Sequence, residues 1–215
     1  MMRLNFDKKD GALKVLCLGA HSDDIEIGCG GTILRLLEQH PDLEIYWVVF
    51  SAVGVREAEA QRGGDLFAGP RLKKRLFKDF KDGFMPYLGS EVKAVFENEL
   101  KQIEPDIVFS HYGKDAHQDH RLISELTWNT FRNHLILEYE IPKYDGDLGR
   151  PNVFVPLQAE HYDKKVRYLL DAFQSQRNKR WFAKDTFISL MRLRGMECNA
   201  NCNHAEAFYC RKITV

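Results

Sequence analysis

The chain has 215 residues, enough to bury a sizeable core, and no tract in it resembles a linker, so one domain spanning residues 1–215 is expected. Lysine plus arginine and aspartate plus glutamate each number 31, which excludes the net field that would recommend nucleic acid or a membrane surface as a partner. No apolar run approaches the ~20 residues that span a bilayer. Met1 to Gly11 lack the apolar stretch of a signal peptide, and the five cysteines read as reduced thiols, so a cytoplasmic location is expected.

In chain order, the apolar run Leu13–Ala20 predicts a strand buried on both faces. His21 to Asp24 and Gly28-Cys29-Gly30-Gly31 follow it, and a helix is expected from about Thr32 to Gln39 with Ile33, Leu36 and Leu37 inward. Glu44–Phe50 is a second strand, Val55–Phe67 a helix despite Gly63-Gly64, and Arg71–Phe77 a third strand. Val92, Val95, Phe96, Leu100 and Ile103 recur at helical spacing behind Ser90, a suitable N-cap, and Pro105 then introduces the strand Asp106–His111. Leu122, Ile123, Leu126 and Phe131 mark an amphipathic helix, and His134–Glu140 another strand. Ile141 to Asn152 reads as a loop long enough to suspect function, followed by helices near Glu160–Phe173 and Lys184–Met196 and a strand around Ala205–Ile213. Alternating strands and helices predict an α/β, Rossmann-like, doubly wound and mostly parallel sheet with helices on both faces. Ligands of such sheets bind beyond the carboxyl ends of the strands, and two polar motifs fall there on one rim.

The first motif is Ala20-His21-Ser22-Asp23-Asp24, the second His117-Gln118-Asp119-His120. Together they hold two imidazoles and a carboxylate for a divalent metal, and open catalytic zinc sites use three such ligands and leave the fourth position to water. His21 and Asp24 are assigned as ligands and Asp23, between them, as the general base. For one aspartate at a helix start, capping is the commoner role; two adjacent ones behind a buried strand and a histidine favour chemistry. His120 is taken as the third ligand, although spacing alone does not rank it above His117. His117 would then face the substrate as an imidazolium held by Asp119, stabilising an oxyanion and protonating a departing amine. The glycines lack the full Gly-x-Gly-x-x-Gly spacing of a dinucleotide site, and close helix packing explains them more simply. Cys198, Cys202, His204 and Cys210 have zinc-like spacing without a second clean pair, so packing is the simpler reading.

The chain resembles the PIG-L/LmbE family of metal-dependent de-N-acetylases, whose signatures are Ala-His-x-Asp-Asp-x-Glu and His-x-Asp-His. Here these are Ala20–Glu26 and His117–His120. Arg56-Glu57-Ala58-Glu59 resembles the family's Arg-x-x-Glu, and Ala205-Glu206-Ala207-Phe208 its Ala-Glu-x-Phe. The resemblance implies a Rossmann-like fold, zinc (another divalent metal such as Fe2+ being the alternative) on His21, Asp24 and His120, and Asp23 as base. It also implies His117 with Asp119 as the oxyanion pair and Arg56 as a grip on substrate hydroxyls or a carboxylate. Ser22 and Gln118 stand where many relatives carry proline, which costs a stiff turn and no chemistry. The half after Tyr139 matches less closely.

The resulting expectation is a hydrolase that removes acetyl from an N-acetylglucosamine-type sugar or glycoconjugate through attack of a zinc-bound water. An amidase for a larger acyl or thiol conjugate is the alternative. A non-haem iron oxygenase also uses two histidines and a carboxylate, but the spare Asp23 suits water activation better. A non-catalytic binding module is the last alternative.

Overall fold

The computed structural model describes residues 5, 6, 8 and 11–214; the stretch from Met1 to Gly11, read above as lacking a signal peptide's apolar run, lies largely outside them. Its centre is a seven-stranded sheet of β1 (Lys14–His21), β2 (Glu44–Ser51), β3 (Leu72–Phe77), β4 (Ile107–His111), β5 (Leu135–Tyr139), β6 (Val153–Pro156) and β7 (Ala205–Tyr209). The order is β3-β2-β1-β4-β5-β7-β6, parallel from β3 to β5, with β7 antiparallel to both β5 and β6. The strand order reverses between β1 and β4, and the crevice at their carboxyl ends is the place such a sheet offers a ligand.

Alternation along the strands divides the core into two layers. Val15 and Cys17 of β1 join Ile45 and Trp47 of β2 on the face covered by α1 (Asp24–Gln39), α2 (Val55–Phe67), α5 (Ala159–Ala172) and α6 (Lys184–Glu197). Leu16 and Leu18 point to the other face, under α3 (Gly89–Val95), its extension through Ile103, and α4 (Gln118–Thr130). Helices thus cover both faces, and the rim between them positions the site.

Four boundaries differ from expectation. Helix α1 begins at Asp24 rather than near Thr32, so the glycines lie inside it. They permit close packing: a Cβ on Gly28 would sit 2.1 Å from the Tyr139 ring, and one on Gly30 2.5 Å from Phe67. Ser90 is not a cap, because α3 already starts at Gly89 and the Ser90 hydroxyl bonds Glu91; past Val95 the helix widens into a π-type turn over Phe96–Leu100. Strand β6 was not expected, being four residues whose place is set by pairing with β7 rather than by a pattern of its own. Finally, β7 stops at Tyr209.

Candidate metal centre and active site

His21 ends β1 and Asp24 opens α1, so a two-residue turn brings both side chains to one point. The Asp24 Oδ2 accepts the His21 N–H at 2.6 Å, which fixes that turn. His120 enters from the first turn of α4. The three donors converge: His21 Nδ1 is 3.1 Å from His120 Nε2 and 3.3 Å from Asp24 Oδ2, and His120 Nε2 is 3.5 Å from Asp24 Oδ1. Ligands at ~2.0–2.2 Å in tetrahedral array stand about 3.3–3.6 Å apart; the set fits a divalent cation by donor type, with Asp24 meeting the two rings through different oxygens, Oδ2 toward His21 and Oδ1 toward His120. Among the described residues the clusters able to hold a metal all lie at this rim and overlap: His21, His117 and His120; His21, Asp82, His117 and Asp119; and Asp24, His111 and His120. His117 thus also stands within ligand reach, while Cys198, Cys202, His204 and Cys210 form no such cluster.

Surrounding groups fix the ligands' orientation. Asp115 Oδ2 stands 3.0 Å from His120 Nδ1, and Lys143 from the long loop reaches Asp115 at 2.9 Å. The other nitrogen of His21, Nε2, faces two carboxylates, Asp82 at 3.0 Å and Asp119 at 3.3 Å. A metal-bound histidine characteristically donates its second N–H to such a carboxylate. Burial opposes charging of His21, yet Asp24, Asp119 and Asp82 together hold its pKa well above the usual value. Hydrogen bonding to His21 in turn lowers Asp82 to about 2. Burial and the neighbouring His111 push His120 down, favouring the neutral imidazole that a metal requires.

His111, which ends β4, is completely buried beside Asp24, 3.3 Å from its Oδ2. Its Nε2 accepts the Ala20 N–H at 2.9 Å, and its ring stacks on His120 with centroids 3.9 Å apart. His111 thus backs His120, while its other nitrogen, Nδ1, is buried with no hydrogen-bond partner among the described residues.

Asp23 is 5 % exposed and makes no capping bond; its Oδ1 instead accepts from Arg56 Nη2 at 2.5 Å. Arg56 also donates to Glu59 at 2.9 Å, so the expected substrate grip is here engaged with two carboxylates. The expected clamp of Asp119 on His117 takes another form. The Asp119 carboxylate accepts from the N–H groups of Gly83 (2.7 Å) and Met85 (3.2 Å) and faces His21. What reaches the His117 ring is the Asp119 backbone N–H, 3.2 Å from Nδ1, because His117 is the N-cap of α4. An accepting Nδ1 carries no proton. Burial, then His120 and His21, lower the His117 pKa, which runs against the expected imidazolium.

Sequence reasoning missed Asp82 and His111. Asp82 sits in a Lys-Asp-Gly turn after β3 with a 73 % exposed side chain, and nothing local sets it apart. His111 did carry a signal, as a histidine closing a fully buried strand on the same rim.

Comparison with known proteins bears on this geometry. The profile of the PIG-L family, described as GlcNAc-PI de-N-acetylase, matches residues 16–131 and so spans β1 through α4 and both motifs. The chain belongs to the PIG-L family. Among curated relatives of this PIG-L chain, the uncharacterized deacetylase YaiS of Escherichia coli (strain K12) is 26 % identical over 165 residues, covering 72 % of this chain and 88 % of that one. Two solved structures share the fold. The conserved protein TT1542 from Thermus thermophilus superposes with a TM-score of 0.74 at 20 % identity, covering 94 % of this chain and 96 % of its own. The N,N'-diacetylchitobiose deacetylase from Pyrococcus horikoshii gives 0.69 at 19 % identity, covering 95 % and 87 %. Among the described residues, no helix of this PIG-L protein is long and apolar enough to cross a membrane.

Proposed function

We propose that this PIG-L protein is a zinc-dependent de-N-acetylase of N-acetylglucosamine-type sugars or glycoconjugates. The carrying observation is the convergence of His21, Asp24 and His120 on one point, with the buried Asp23 next to Asp24 in the chain. Zinc held by those three residues would acidify a water and polarise the amide carbonyl. Asp23 Oδ1 is engaged by Arg56, leaving Oδ2 to take a proton from the attacking water and return it to the departing amine. His117, with Nδ1 accepting the Asp119 N–H, offers its Nε2–H to the developing oxyanion without needing a positive charge. Asp119 acts on the metal ligand His21 rather than on His117.

The sugar assignment rests on family membership, on the diacetylated sugar named for the Pyrococcus protein, and on the mouth of the site. Tyr87 is 82 % exposed just beyond Gly83, Phe84 is 45 % exposed with Lys81 Nζ 3.8 Å over its ring, and the Asp82 side chain is 73 % exposed there while its Oδ1 faces His21. The flat face of Tyr87 suits the C–H side of a pyranose, and a carboxylate suits its hydroxyls. All five cysteines are unpaired, which fits a reducing cytoplasm.

The test is a primary-amine release screen of zinc-loaded protein across N-acetylated sugars, sugar nucleotides and inositol or malate glycosides, beside acyl amides lacking a sugar. Acetate and amine in equal amounts from a GlcNAc-type compound is the expected result. Turnover confined to larger acyl or thiol conjugates would make the chain an amidase of another class.

A further inference from the structure

Asp23 carries the base role in the reading above, yet its side chain has a single hydrogen-bond partner among the described residues, the Arg56 guanidinium. Arg56 stands in the first turn of α2, where an arginine would ordinarily be a loose surface charge worth little to the fold. Here it is held. Its Nη1 donates to Glu59 Oε2 at 2.9 Å while Nη2 reaches Asp23 at 2.5 Å, so one planar fork spans two carboxylates. Glu59 is 6 % exposed and is itself pinned from another part of the chain. Its Oε1 accepts the Ser175 N–H at 2.7 Å, and its Oε2 accepts the Ser175 hydroxyl at 2.7 Å. Gln176 Nε2 donates to that hydroxyl at 2.9 Å, and the Phe173 ring lies 5.8 Å beneath the guanidinium.

We propose that Glu59, fixed by Ser175, is a positioning residue: it orients the Arg56 guanidinium, which in turn holds the Asp23 carboxylate for proton transfer. The proposal rests on Asp23 being the base. Glu59 touches neither the metal donors nor the mouth of the site, and a buried carboxylate is costly unless its oxygens are engaged as these are. Both terminal nitrogens of Arg56 are engaged by carboxylates of the chain itself, one on Glu59 and one on Asp23. The chain from residues 173–176 to Asp23 also gives a physical reason for an Arg-x-x-Glu spacing: on a helix, i and i+3 share a face.

The test uses the full-length, zinc-loaded protein. Glu59→Gln should lower kcat about tenfold with KM nearly unchanged and zinc content intact, as misorientation of a reacting group predicts. Arg56→Ala should lose more, and Arg56→Lys should not restore it, because a single ammonium lacks the planar fork whose two nitrogens reach Asp23 and Glu59 separately. Added guanidinium, at concentrations that leave the protein folded, should bind Arg56→Ala by calorimetry and recover turnover; the double variant Arg56→Ala/Glu59→Gln should do neither. Rescue in the single variant and not in the double supports the clamp. Equal rescue in both, or an Arg56→Ala variant that binds no guanidinium, overturns it. So does an Arg56→Lys variant with wild-type kcat. Calorimetry reads the clamp whatever the reaction is, so a wild type inactive on every N-acetylated sugar would refute the proposed function without deciding this result.

Discussion

Gly28→Ala should destabilise the protein although alanine is the better helix former. The residue lies inside α1, fully buried against Tyr139. Replacing a helical glycine by alanine gains about 1 kcal/mol in propensity, and burying the methyl gains about 0.8 kcal/mol more. Against this, the new Cβ would lie 2.1 Å from Tyr139 Cδ2 and 2.4 Å from Cγ, where ordinary carbon contacts need roughly 3.5–4.0 Å. The ring is completely buried, and its hydroxyl donates to Leu18 O at 2.6 Å. Moving it by more than an ångström costs about 1–3 kcal/mol for overpacking and roughly another 1–3 kcal/mol if that buried bond is lost. The net expectation is a loss of about 2 kcal/mol, or about 4–8 °C in Tm for a chain of this size. Gly64→Ala is the matched control. It too is a helical glycine, but its added Cβ would meet nothing nearer than 3.7 Å, so it should gain about 1 kcal/mol. Urea denaturation of both variants beside wild type reads the difference directly. If Gly28→Ala stabilised as Gly64→Ala does, close approach to Tyr139 would not be the reason for glycine there.

Three further outcomes follow from the site. Asp119→Ala should weaken zinc affinity by about 10–100-fold in a competition titration, because its carboxylate faces His21 and holds the Gly83 and Met85 N–H groups. His117→Ala should keep its zinc and lose about 10²–10³ in kcat, the usual effect of removing an oxyanion donor; loss of zinc instead would make His117 a ligand. Glu26 is fully buried with neither oxygen hydrogen-bonded to another described residue, and burial above all, with Asp23 and Asp24 adding to it against its own backbone N–H and Arg56, pushes its pKa well above the usual range. Folded protein therefore keeps a proton that the unfolded chain releases above about pH 4.3, and stability should fall as pH rises from there toward the folded value. In metal-stripped protein, Glu26→Gln should flatten that fall in Tm between pH 5 and 8; an unchanged slope would show that Glu26 is ionised in the fold.

Sequence made the parallel sheet and the placement of His21, Asp23, Asp24 and His120 legible for one reason. Each motif is local and directly adjoins a strand or helix whose periodicity is plain, and a parallel sheet delivers such ends to one rim. What it hid depends on distant partners. The glycines of α1 look like a turn until Tyr139 and Phe67, far along the chain, are packed against them. Asp82 is brought beside His21 by the path of the chain after β3, which leaves no mark on neighbouring residues. The His117–Asp119 spacing suggested a side-chain pair, but two residues across a helix start present the backbone N–H to the ring and turn the carboxylate elsewhere. Four-residue β6 has no period long enough to read.

The central claim, that three residues hold a metal and Asp23 works beside it, is tested most directly by one paired measurement on Asp23→Asn: zinc content and acetate release from an N-acetylated sugar. The expected result is zinc bound in the same stoichiometry as wild type with turnover lower by about 10²-fold or more, the loss typical of a removed general base. A variant that lost zinc as completely as His21→Ala, or that released acetate at the wild-type rate, would contradict it.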